Sequence, residues 1–232
     1  MEAKNIDNSK KYCLDETDSI AFNGHTLYRI VALKDFADVK AGDKGGYVES
    51  EDNLSQDGNS WVYHRAKVWN AARISDNAQV FGQAEVYDNA QVGGTSWVYG
   101  HAEVYDNAHV SGNAQVGGDS WVYDDAKVYG NAQVGGTSWI YGNAKVYGDA
   151  QVLGESYIYD NAHVSGNAQV YDRAHISGFT QVAGNAKISG DGELSVNDTI
   201  TEDVVLNSDR SNSASESESL SIEESRRKGL GI

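Results

Sequence analysis

Residues 141–152 read Tyr-Gly-Asn-Ala-Lys-Val-Tyr-Gly-Asp-Ala-Gln-Val, one six-residue phrase stated twice. Outward from this pair, the phrase continues in both directions from Asn59 to Ser208, 25 times in all without an insertion or deletion. An aliphatic residue, nearly always Val or Ile, falls at 62, 68, 74, 80, 86 and every sixth position up to Leu206. Two residues before it stands a small one, as at Ala66, Ala72, Ala78 and Ala84. A strict short period marks a solenoid, in which each unit buries its apolar side only against its neighbours.

Residues two apart in a strand share a side, so the Ala and Val of each phrase point inward together. The residues flanking Val point out. Between strands lie pairs such as Asp106-Asn107 and Gly112-Asn113, residue types that tolerate the positive φ of a sharp corner. A strand and a corner in every phrase predict a prism. The small interior residues predict a narrow one, with three phrases closing each lap. About eight laps stacked about 4.8 Å apart give a body roughly 40 Å long.

Composition agrees with an all-β chain. Proline is absent from 232 residues, where average usage is about 5%, and proline removes a donor from a strand ladder. A single cysteine, Cys13, excludes an internal disulfide framework and a four-cysteine zinc site. The net charge of −16 disfavours nucleic acid as a partner. The polar opening MEAKNIDNSKK lacks the apolar stretch of a signal peptide. No run is long and apolar enough to span a membrane. A cytoplasmic location follows as the expectation.

Four segments separate by pattern. Residues 1–11 read as a disordered leader, 12–58 as a strand and hairpin cap, 59–208 as the repeat, and 209–232 as a disordered Ser/Glu-rich tail. Within the cap, Ser19–Phe22 and His25–Leu33 flank Asn23-Gly24, a strong two-residue hairpin signal. A second turn is expected at Asp43-Lys44-Gly45-Gly46, followed by Tyr47-Val48.

The phrase resembles the hexapeptide-repeat family, whose motif is an aliphatic residue, three variable ones, a small residue and another variable one. The resemblance implies a left-handed parallel β-helix of triangular section. The opening segment, with FNGHTLYRI, the stretch from Leu33 to Glu49, and NLSQDGNSWVY, is similar to the YdcK-type hexapeptide proteins of bacteria and phage. Such proteins are often labelled transferases, because many of the family are acyltransferases that work as trimers. Others serve as scaffolds or polymer-forming proteins.

Assigning the phrases cyclically to three faces maps the surface. On one face the residue after the aliphatic is Trp69, Tyr87, Tyr105, Tyr123, Tyr141 and Tyr159, each 18 apart. In three of these strands the residue before it is aromatic as well, as Trp121, Trp139 and Tyr157. The result is a two-by-three aromatic block. A second face carries a glutamine column, Gln115, Gln133, Gln151 and Gln169, which should act as an amide ladder. The third is a modest basic strip of Arg73, His109, Lys127, Lys145 and His163. Asp88, Asp106, Asp124 and Asp160 share one corner, where the turn suits Asp and a bound cation is conceivable.

Histidine is the general base that the family resemblance implies for acyl transfer. His25, His64, His101, His109, His163 and His175 are the candidates, and none lies in an inserted loop. No nucleophile–base spacing, phosphate-cradling glycine loop or metal-ligand cluster stands out. The expected function is therefore a non-catalytic structural or binding solenoid, with acyl-CoA-dependent transfer as the alternative. It would self-associate as a dimer or trimer, or hold a protein or glycan, through Tyr87, Tyr105, Trp121, Tyr123, Trp139, Tyr141, Tyr157 and Tyr159. No catalytic residue, cofactor or metal is assigned.

Overall fold

The computed structural model describes residues 9–207. The expected tail, and the leader up to residue 8, lie outside the described residues. The fold is an all-β parallel solenoid with three sheets, of 11, 9 and 8 strands. Most strands are two residues long, an outward residue followed by the buried aliphatic one, as in Gln115–Val116 and Trp121–Val122. Each pairs in parallel with the strand three phrases on: His109 opposes Lys127, Gln115 opposes Gln133, and Trp121 opposes Trp139. The three-sided lap is as the spacing predicts.

The nine-stranded sheet counts nine laps, one more than expected. The first lap begins ahead of the repeat and closes on Trp61–Val62 within it. Tyr47–Val48 pair in parallel with Lys67–Val68, and Leu54 bridges Ile74. Both steps are two positions longer than the regular lap from Val62 to Val80, so the corner between Leu54 and Val62 holds two additional residues. At the other end the register slips. Ile188 pairs with Val204, two positions short of a full lap, and Gly190 pairs with Leu206. A slip of two keeps side chains on their original side, so Val204 packs against the core and Leu206 is buried.

The core is a column of Val, Ile and Ala with essentially no exposure. Where serine replaces the inward alanine, its hydroxyl donates to the carbonyl three residues back: Ser96 to Gly93, Ser120 to Gly117, and Ser138 to Gly135, each at 2.7–2.8 Å. A buried hydroxyl is thereby satisfied. Corner peptides are paired between laps too, as Asn107 to Asp124 at 2.9 Å and Asn113 to Gly130 at 2.7 Å. The backbone is thus tied along almost every side and corner.

Strands β1 (Tyr12–Phe22), β2 (His25–Ala32) and β3 (Lys44–Val48) precede the repeat. β1 and β2 form the antiparallel hairpin that Asn23-Gly24 signals, with φ of 48° and 85° at the two turn residues. The second expected turn is corrected. The chain reverses earlier, at Lys40–Asp43, where Asp43 donates to the Lys40 carbonyl at 2.9 Å and Gly42 has φ 92°. Gly45 and Gly46 are strand residues of β3. Their glycines serve close approach instead: a Cβ at Gly45 would lie 2.6 Å from the Val62 carbonyl oxygen, and one at Gly46 would lie 2.6 Å from that of Ala66.

Candidate functional site

The predicted aromatic column is present. Trp69, Tyr87, Tyr105, Tyr123, Tyr141 and Tyr159 stack ring on ring, with centroids 4.5–5.1 Å apart and planes within 8° of parallel. The strand spacing sets this distance, because in-register rings on adjacent parallel strands have nowhere else to lie. Trp121, Trp139 and Tyr157 form the neighbouring column, and His175 extends it, stacking on Tyr157 at 4.4 Å.

Stacking also covers the rings. The eight candidate residues from Tyr87 to Tyr159 are half-buried, and Trp69 is buried beneath Phe22 of the hairpin, 5.4 Å away. Tyr87 donates to Glu103 at 3.0 Å and Tyr159 to Glu193 at 2.9 Å. Burial, with neighbouring tyrosines and carboxylates, pushes the Tyr123 hydroxyl up to about 12. Tyr159 also rises to about 12, first through burial and further through Glu193. These phenols stay protonated at any physiological pH. The large apolar side chains most open to solvent are elsewhere: Trp97 and Leu153 on the glutamine face, Phe179 at a corner, and Val205 in the last described strand. Phe179 was legible as the residue that breaks a corner row holding Asn143 and Asn161 on the two preceding laps.

The glutamine column is in register. Among the described residues only Gln169 and Gln151 meet, at 3.5 Å. The amide ladder that ties the laps runs along the corners instead, from Asn113 to Asn131 to Asp149 at 2.8–2.9 Å and from Asn89 to Asn107 to Asp125 at 3.2 Å. In the sequence alone these asparagines are legible only as turn formers.

The aspartate corner has a backbone explanation. Asp88, Asp106, Asp124 and Asp160 have φ of 53–56°. The Asp124 carboxylate accepts from the Gly142 N–H at 3.0 Å, and Asp160 accepts from Gly178 at 3.2 Å. Among the described residues no group of three or more His, Cys, Asp or Glu side chains is arranged to hold a metal.

Four members of the basic strip line a groove of about 930 Å³. One wall is His109, Lys127, Lys145 and His163; the other is the corner row Asn107, Asp125, Asn143 and Asn161. Burial, then the neighbouring lysine, holds each histidine below its ordinary pKa: Lys127 for His109 and Lys145 for His163. Both imidazoles are therefore neutral at pH 7. The other histidines are dispersed. His25 meets Glu49 at 2.9 Å, His101 meets Gln83 at 3.2 Å, and His64 occupies a corner with φ 54°.

No protein-family model matches the chain. It is 43% identical over 54 residues to "Uncharacterized acetyltransferase YdcK" of Escherichia coli (strain K12), a stretch amounting to 23% of this chain and 17% of that protein. Among the described residues no helix is long and apolar enough to cross a membrane. The chain is thus similar over one segment to a protein named as an uncharacterized acetyltransferase, and its six-residue repeat winds into a three-sided parallel β-solenoid of about nine laps.

Proposed function

We propose that this chain is a binding solenoid that self-associates through its aromatic face and carries no chemistry of its own. The observation behind this is the pair of adjoining ring columns, Tyr105–Tyr159 beside Trp121–Tyr157, presented on one rigid sheet. Aromatic side chains dominate the energetics of protein interfaces. Rings already held by their stack lose little further freedom on contact. A second copy laid along this face would bury the ring edges that a single chain leaves in water. A flat glycan is the other occupant that such a platform fits. Analytical ultracentrifugation tests the proposal: the intact chain should sediment as a dimer or trimer and Trp139→Ala/Tyr141→Ala as a monomer. A wild-type chain that stays monomeric at high concentration would sink it.

Acyl transfer from a coenzyme A thioester is the second reading. It is favoured by the name of the YdcK relative and by two neutral histidines in one groove, since a general base must be unprotonated to accept a proton. Calorimetry with acetyl-CoA, followed by turnover assays of His109→Ala and His163→Ala, tests this reading directly.

A further inference from the structure

Some cations on this solenoid meet an acid one lap away. Lys67 opposes Glu85 and bridges it at 2.8 Å, and Arg173 bridges Glu155, on the lap before, at 2.8 Å. Lys127 has no acid opposite it. Its in-register partner is Lys145, and like charges directly opposed on neighbouring strands are destabilising. Neither ammonium has an ion-pair partner among the described residues. The fold does not require lysine here, because the same column holds Gln91 and Gln181 on other laps.

The opposite wall is also unfinished. The amide ladder from Asn89 through Asn107 ends on Asp125. Asn143 and Asn161, next in the row and lining the groove, make no side-chain hydrogen bond among the described residues. Two ammoniums without an ion-pair partner among the described residues thus share a concave site with Asn143, Asn161 and the Asp125 carboxylate, one oxygen of which already accepts from Asn107.

We propose that this groove is an oxyanion site, taking the phosphate group of a soluble phosphate ester between Lys127 and Lys145 with Asn143 at its side. A phosphate carries up to two charges and three acceptor oxygens, and lysine binds phosphate as a point charge. A single carboxylate would leave one ammonium unmatched. The site stands independently of the aromatic face.

The experiment is calorimetric titration of the full chain with pyrophosphate at low ionic strength, alongside Lys127→Gln/Lys145→Gln. Wild type should bind, and the variant should lose about tenfold or more in affinity, the loss expected for one or more charge-assisted hydrogen bonds. Pyrophosphate should raise the melting temperature of wild type only. The variant alone should melt no lower than wild type, since it removes a repulsion. Absence of binding by wild type, equal binding by the variant, or a variant that melts lower would each overturn the proposal. Vesicles of phosphatidylcholine and phosphatidylglycerol form a further arm: lysine-dependent binding to them and not to pyrophosphate would overturn the soluble ester as the source.

Discussion

The ammonium of Lys11 donates to the carbonyl oxygen of Ser60 at 2.9 Å, from a residue that is 1% exposed. It lies within 3.4 Å of the Asp57 and Gly58 carbonyls as well, and over the ring of Phe36 at 5.3 Å. These carbonyls belong to the enlarged corner between Leu54 and Val62, so Lys11 is the group that satisfies an irregular corner of the first lap. Nearby, the Gln56 carboxamide oxygen accepts the Lys11 backbone N–H at 2.8 Å.

Lys11→Met keeps the apolar stem and removes the donors. Leaving buried carbonyls unmatched costs about 1–3 kcal/mol, and urea unfolding should show a loss of that size. An unchanged midpoint would mean that water replaces the ammonium without penalty.

Alkaline pH should act in two stages. Burial lowers the Lys11 pKa to about 8, below the unfolded value of about 10.4. The unfolded chain therefore binds more protons between these values, and stability rises with pH across that window. The tyrosines act oppositely: Tyr123 and Tyr159 titrate near 12 when folded, against about 10 unfolded. The folded chain then holds the protons, so stability falls as pH rises above about 10. Melting temperature across this range should pass through a maximum, and Lys11→Met should flatten its rising limb.

At the aspartate corner, Asp124 has φ 55° and accepts from Gly142, while Gly142 fills the same corner one lap on with φ 66°. Asp124→Gly exchanges a hydrogen bond for relief of a conformation that costs other residues about 1–2 kcal/mol. Asp124→Ala loses the bond and keeps the strain. The alanine variant should be the less stable by about 1–2 kcal/mol in denaturant titrations; equal stabilities would show that the corner tolerates any side chain.

Gly46→Ala should destabilise the first lap. Its Cβ would lie 2.6 Å from both the Ala66 carbonyl oxygen and Val62 Cγ1. Overpacking of this kind costs about 1–3 kcal/mol, and far-ultraviolet melting should detect it. Wild-type stability would mean that β3 can move off the first lap.

How far the sequence reaches is clearest at Tyr105, Tyr123 and Tyr141. A fixed period of six, three sides to a lap and alternation along each strand determine that these rings share a column, and they do. The same arithmetic placed His109 and His163 on one wall with Lys127 and Lys145. Sequence also determined the hairpin at Asn23-Gly24, because positive φ at both turn residues is a local demand. Only the tertiary structure decided how much of each ring remains in water, since exposure depends on neighbours one lap away. It decided that Gly45 and Gly46 lie in a strand, because their constraint is the approach of Val62 and Ala66 and not their own φ. It placed the two additional residues at the corner that Lys11 closes and the slip at Val204, where lateral pairing selects the register. Period and alternation are local and survive in the order of residues; contact between laps is not, and appears only when the chain is wound.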